Sequence, residues 1–144
     1  MKRLLFFTSV LTLLFTVSCT KTTTTPAITK TNPNPITGLW VGTYQIDDAA
    51  YLGSFYYSAN IFSDSTIIQD GGGASGTFYT SKGNWTLHDS LFTATLTATD
   101  LTGPVNVQVI TAIYDSTAGT LSNGKWRHTD GGTQTGTFSM KRVN

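Results

Sequence analysis

In the strand read over Leu91–Thr99, apolar and polar residues alternate without a break from Phe92 onward. Phe92, Ala94, Leu96 and Ala98 face one way, and Thr93, Thr95, Thr97 and Thr99 the other. A period of two belongs to a strand with one buried face, and it excludes a helix over the same residues. The same grammar fills the chain from Thr37 to its last residue. The first strand is predicted over Thr37–Ile46, with Trp40, Tyr44 and Ile46 on one face and Leu39, Val41, Thr43 and Gln45 on the other. Further strands are expected at Tyr51–Phe62, Thr66–Gln69, about Ser75–Leu87, Val105–Tyr114, Thr120–Thr129 and Thr135–Val143. Runs of Asp, Ser, Asn and Gly separate them, with Asp70-Gly71-Gly72-Gly73 the strongest break. Asn123-Gly124 is read as a bulge within the seventh strand, because splitting that strand would leave two very short pieces.

Composition removes the alternatives to an all-β domain. Long helix formers are thin after the first residues, no Glu occurs, and Thr, Gly and Ser abound. Eight strands joined throughout by hairpins form a meander whose apolar face needs cover, and no helix is available to supply it. Closing the sheet on itself covers that face and removes both edges. The expected fold is therefore an eight-stranded up-and-down antiparallel barrel over 37–144, with a two-sheet β-sandwich as the alternative. A phrase of Gly-x-aromatic or Gly-x-Leu recurs at Gly42-Tyr44, Gly76-Phe78, Gly83-Trp85, Gly119-Leu121, Gly124-Trp126 and Gly136-Phe138. It reads as a structural device in which a glycine relieves crowding beside a large ring.

The first 36 residues have a different character. Met1-Lys2-Arg3 is a short positive start, and Leu4–Val17 is an apolar run too short to span a bilayer comfortably. It ends at Thr16-Val17-Ser18-Cys19, which resembles the lipobox of bacterial lipoproteins. The resemblance implies a signal peptide over 1–18 and lipid attachment at Cys19, the only cysteine in the chain. A lone cysteine forms no internal disulfide. Residues 19–36 are rich in Thr, Lys, Asn and Pro and read as a disordered tether. By resemblance to Gram-negative lipoproteins, Thr20 after the cysteine implies the outer membrane, with the domain facing the periplasm. Removing Lys2 and Arg3 with the leader leaves seven basic residues against eight aspartates, a net charge near −1. No basic stripe for nucleic acid remains.

Gly38-Leu39-Trp40 resembles the Gly-x-Trp of the first strand in calycins, the group that holds lipocalins, fatty-acid-binding proteins and avidins. That resemblance implies that Trp40 closes one barrel end beneath Arg142, near the end of the last strand. The chain is more closely similar to small lipocalin-like bacterial lipoproteins. They share the Gly38–Tyr44 start, Gly83-Asn84-Trp85-Thr86-Leu87, the Asp115–Leu121 turn and the Gly136–Lys141 ending. Separately, Ser75-Gly76-Thr77-Phe78-Tyr79 resembles the Ser-Gly-x-x-Tyr loop of bacterial lipoprotein lysozyme inhibitors.

No catalytic motif is present. His88-Asp89 and His128 near Asp130 sit at turns and read as solvated residues rather than metal ligands. Neither an enzyme nor a cofactor is expected. The functional expectation is a lipid-anchored module that holds a small, mostly apolar ligand in the barrel, lined by Tyr44, Tyr57, Trp85, Phe92 and Trp126. The alternative is a protein-interaction or inhibitory module acting through the loops Asp70–Gly76 and Asp130–Gly136. An empty, aromatic-lined cavity favours the first, and a filled core the second.

Overall fold

The computed structural model describes residues 35–73, 76–98 and 106–143. The signal and lipid-attachment readings at 1–18 and Cys19, most of the tether, Ser75 and the turn at 100–104 lie outside these residues. Eight antiparallel strands follow one another around a closed barrel: β1 (Gly38–Ile46), β2 (Phe55–Ile61), β3 (Thr66–Gly72), β4 (Phe78–His88), β5 (Leu91–Ala98), β6 (Val107–Asp115), β7 (Thr120–His128) and β8 (Thr135–Val143). Each pairs with its chain neighbour, and β1 pairs with β8 from Leu39↔Val143 to Ile46↔Gly136, so no edge is left open. The sandwich alternative falls with that closure.

Alternation decides which side chains point inward. Trp40 and Tyr44 on β1, Tyr57, Ala59 and Ile61 on β2, Phe92, Ala94 and Leu96 on β5, and Phe138 and Met140 on β8 are buried. Because successive strands reverse, each inward residue also has a height. The strands place Trp40, Ile61, Ile67, Trp85, Phe92 and Leu121 in the half that holds the starts of β1, β3, β5 and β7. The opposite half carries Tyr44, Tyr57, Tyr79, Ala98 and Trp126.

Three local readings change. Tyr51–Ser54 is not strand: Asp47–Leu52 forms short 3₁₀ turns interrupted at Ala49 and ended by Gly53 at φ 80°, so β2 begins at Phe55. Asp47 at the start of this segment accepts a 2.6 Å hydrogen bond from the Thr135 hydroxyl on β8. The glycine run after Asp70 does not break the chain, because β3 continues through Gly71 and Gly72. Gly71 lies opposite Tyr79 in the β3–β4 ladder, and a Cβ at Gly71 would lie 2.9 Å from Tyr79 Cε1. The glycine makes room for an inward tyrosine. The tether, finally, does not extend to residue 36, because Ile36 is fully buried. The bulge at Asn123-Gly124 is present: Asn123 has φ 52°, and the β7–β8 register shifts between Leu121 and Gly124.

At the closed end Trp40 and Arg142 are directly opposed in the β1–β8 ladder. Trp40 is fully buried, its Nε1 donates to the Ile36 carbonyl at 2.8 Å, and Tyr114 meets its ring edge-on at 6.0 Å. Burying an indole removes about 200 Å² from water, worth about 5 kcal/mol at 25 cal/mol per Å². Arg142 Nη1 and the Tyr114 hydroxyl both donate to the Pro35 carbonyl, at 2.7 and 2.8 Å. These contacts lay Pro35 and Ile36 across the end of the barrel.

Candidate ligand-binding site

The other end is open. A cavity of about 430 Å³ enters between the ends of β1, β4, β6 and β7 and is walled by Tyr44, Tyr57, Tyr79, Ala98, Gln108 and Trp126, with Ile46, Phe78 and His128 at its rim. Ligand pockets run from ~300 to ~1,000 Å³, so this one suits a compact guest.

Two wall rings, Tyr44 and Trp126, are each held by ring packing and by a hydrogen bond. Tyr44 packs against Phe55 and Tyr57, both with centroids at 5.3 Å, and its hydroxyl donates to the Gly72 carbonyl at 3.0 Å. Trp126 meets Tyr44 edge-on at 6.0 Å, and its Nε1 donates to the Gln45 carbonyl at 3.1 Å. Trp126 lies opposite Gly136 in the β7–β8 ladder, and a Cβ at Gly136 would lie 2.6 Å from Trp126 Cε2. In two of the Gly-x-aromatic phrases the glycine serves a ring across the ladder and not the ring of its own phrase: Gly136 gives the Trp126 indole its seat, and Gly124 lies opposite Phe138.

Of the five rings expected to line a pocket, Tyr44, Tyr57 and Trp126 do so. Trp85 and Phe92 do not. Strand β4 runs towards the closed end, so Trp85 sits there, with Phe92 at a centroid distance of 6.3 Å and its Nε1 donating to the Phe62 carbonyl at 3.0 Å. Both rings belong to the packed core. Tyr79 is a wall residue, which takes it away from the surface loop that the Ser-Gly-x-x-Tyr resemblance implies.

Sequence reading missed a polar layer at the base of the cavity. Gln69 on β3 and Gln108 on β6 reach each other across the lumen, with Gln108 Nε2 donating to Gln69 Oε1 at 2.7 Å. Both are buried, as is Ser81. Two donors in this region lack a partner: the Tyr57 hydroxyl and Gln69 Nε2. Burial pushes the Tyr57 phenol well above its ordinary value, with Tyr44 adding to it. Burial likewise raises Tyr79, the Tyr44 hydroxyl adds to the shift, and the Gln69 amide opposes it. Both phenols therefore keep their protons at neutral pH. The signal for this layer was available, since Gln69 shares a face with Ile67 and Gln108 with Ile110.

At the rim His128 packs edge-on against Trp126 at 5.7 Å. Its Nδ1 lies 4.0 Å from Asp130 Oδ1, beyond hydrogen-bond reach. Asp130 Oδ2 accepts from the Val107 N–H at 2.9 Å, which holds the carboxyl below its usual range, with His128 contributing less. Among the described residues no group of three or more His, Cys, Asp or Glu is placed to hold a metal ion.

No family model matches this chain, and no curated protein or solved structure does either. The architecture is lipocalin-like: an eight-stranded closed barrel open at one end.

Proposed function

We propose that this protein is a small lipocalin-like bacterial lipoprotein that carries one compact, mostly apolar molecule in the open end of its barrel. A lipid on Cys19 holds it in the cell envelope, at the outer membrane on the periplasmic side. The observation that carries the reading is the 430 Å³ cavity walled by Tyr44, Tyr57 and Trp126. A filled core would have left no room for a guest. Apolar surface placed there gains about 25 cal/mol per Å² before the costs of association are subtracted.

Trp126 is the tryptophan in the cavity wall, so it reports occupancy. Binding of small aromatic dyes or quinones is expected to change the fluorescence, and Trp126→Phe to remove that response. Ala98→Trp places an indole in the cavity and is expected to abolish binding while the barrel stays folded. An unaltered melting temperature and fluorescence across a panel of dyes, quinones, sterols and fatty acids would refute the reading.

A second reading rests on the rim, where Tyr51 and Phe78 are 85% and 73% exposed. Large rings in water beside the mouth suit a protein partner that docks on the loops. Ala98→Trp separates the two, because it fills the cavity and leaves these rings untouched.

A further inference from the structure

The base of the cavity is chemically unlike its walls. Tyr44, Ile46 and Trp126 offer apolar surface, while Tyr57, Ser81 and Gln108 line the same space with polar atoms. Gln69 lies behind Gln108 with no exposure to solvent. Buried polar groups are ordinarily paired, and an unpaired one is costly unless something completes it. Of the two unpaired atoms, both able to donate, the Tyr57 hydroxyl belongs to a residue that lines the cavity, while Gln69 Nε2 lies behind Gln108 and outside the lining. A guest that completes the site supplies acceptors.

Charge narrows the guest further. Among the described residues lining the cavity there is no Lys, Arg, Asp or Glu, and the one ionisable base, His128, is at the rim beside Asp130. An anion at the base would lie among phenols and amides with no counter-charge, and burying an unpaired charge is far costlier than burying a neutral acceptor. The burial that raises the Tyr57 and Tyr79 phenols disfavours negative charge at the same depth.

We infer that the guest is a neutral, compact molecule with a carbonyl, ester or amide oxygen at one end, and that this end enters first to meet Tyr57 and Gln108, which Gln69 backs from behind, while the apolar body rests on Tyr44 and Trp126. The inference builds on the binding reading above and gives it a direction and a chemical class. Free carboxylates are excluded from the inner end, and pure hydrocarbons are weaker guests than their ketones.

Three probes of nearly equal size test it with the full chain: benzophenone, diphenylmethane and diphenylacetate, with affinities measured by calorimetry. Benzophenone is expected to bind about tenfold tighter than diphenylmethane, the worth of one or two net hydrogen bonds. Diphenylacetate is expected to bind more weakly than either. Tyr57→Phe removes one donor and keeps the ring. It is expected to weaken benzophenone several-fold, leave diphenylmethane unchanged and preserve the melting temperature. Gln108→Leu provides a second variant, with the same selective loss expected. If the hydrocarbon and the ketone bind equally, or Tyr57→Phe affects both alike, the acceptor inference is overturned while the binding reading stands. If none of the three binds, the acceptor inference is overturned, and the binding reading falls with it when the panel of dyes, quinones, sterols and fatty acids also gives no response.

Discussion

Replacing Gly136 by Ala puts the relation between glycine and ring to a direct test. A Cβ at Gly136 would run into the Gln45 carbonyl oxygen and come within 2.6 Å of Trp126 Cε2. The first obstacle is backbone of β1, which cannot swing away as a side chain would. Relief requires the β8–β1 ladder to part or the indole to move into the cavity. Overpacking of this kind costs about 1–3 kcal/mol. Displacing the indole also breaks the 3.1 Å bond from Trp126 Nε1 to the Gln45 carbonyl, worth about 1 kcal/mol. The expected loss is about 2–4 kcal/mol, a fall of about 10 °C or more in melting temperature for a domain of about a hundred residues. Gly72→Ala is the matched control in the same barrel. Its Cβ would meet Phe78 Cε1 at 3.5 Å and Tyr56 Cβ at 3.8 Å, which are ordinary contacts. Since alanine also restricts the unfolded chain, that variant is expected to be neutral or up to ~1 kcal/mol more stable. Urea unfolding followed by far-ultraviolet circular dichroism measures both. A loss below about 1 kcal/mol for Gly136→Ala, or an equal loss for Gly72→Ala, would refute the reasoning.

Two further outcomes follow from the phenols and the leader. Tyr57 and Tyr79 are raised in the folded protein, so above pH ~10 the unfolded chain loses those protons first. Their contribution to stability is complete below that pH and declines above it, by about 1.4 kcal/mol per pH unit for each phenol. Urea midpoints between pH 7 and 11.5 are expected to hold level and then fall, and less steeply in Tyr57→Phe; a level profile to the end contradicts the buried phenols. Cys19→Ala is expected to move the protein from membrane to soluble fractions with its melting temperature unchanged. A soluble wild type with an unmodified Cys19 contradicts lipidation.

What the sequence made legible was whatever depends on neighbours along the chain. Trp40, Tyr44 and Ile46 share a face because strand geometry says so, and the alternation of β5 reads straight into Phe92, Ala94 and Leu96 pointing inward. Asn123-Gly124 betrayed its bulge by residue type alone. The misreadings arose where meaning came from across the barrel. Gly71 looked like a turn because the ring that needs its space, Tyr79, belongs to the next strand. Ile36 looked like tether because one apolar residue among prolines and polar neighbours carries no periodicity. For Trp85 both the inward face and the height are legible, since the reversal of β4 carries it to the Trp40 end; what the sequence does not show is that the cavity stops short of that height. Gln69 and Gln108 were each legible as polar residues on apolar faces. Their meeting across the lumen was not, because it depends on closure between strands three apart in order.

The double grip on the Pro35 carbonyl has a mechanical meaning. A pull on the chain from its N-terminal side reaches Pro35 before it reaches β1, and there it is met by Tyr114 on β6 and Arg142 on β8. The load is shared among three strands and acts on side-chain bonds outside the β1–β8 seam. Without that grip, the same pull would peel the seam open one ladder rung at a time, starting from Leu39↔Val143. It also enters at the closed end, so the mouth lies on the far side of the barrel, away from the load.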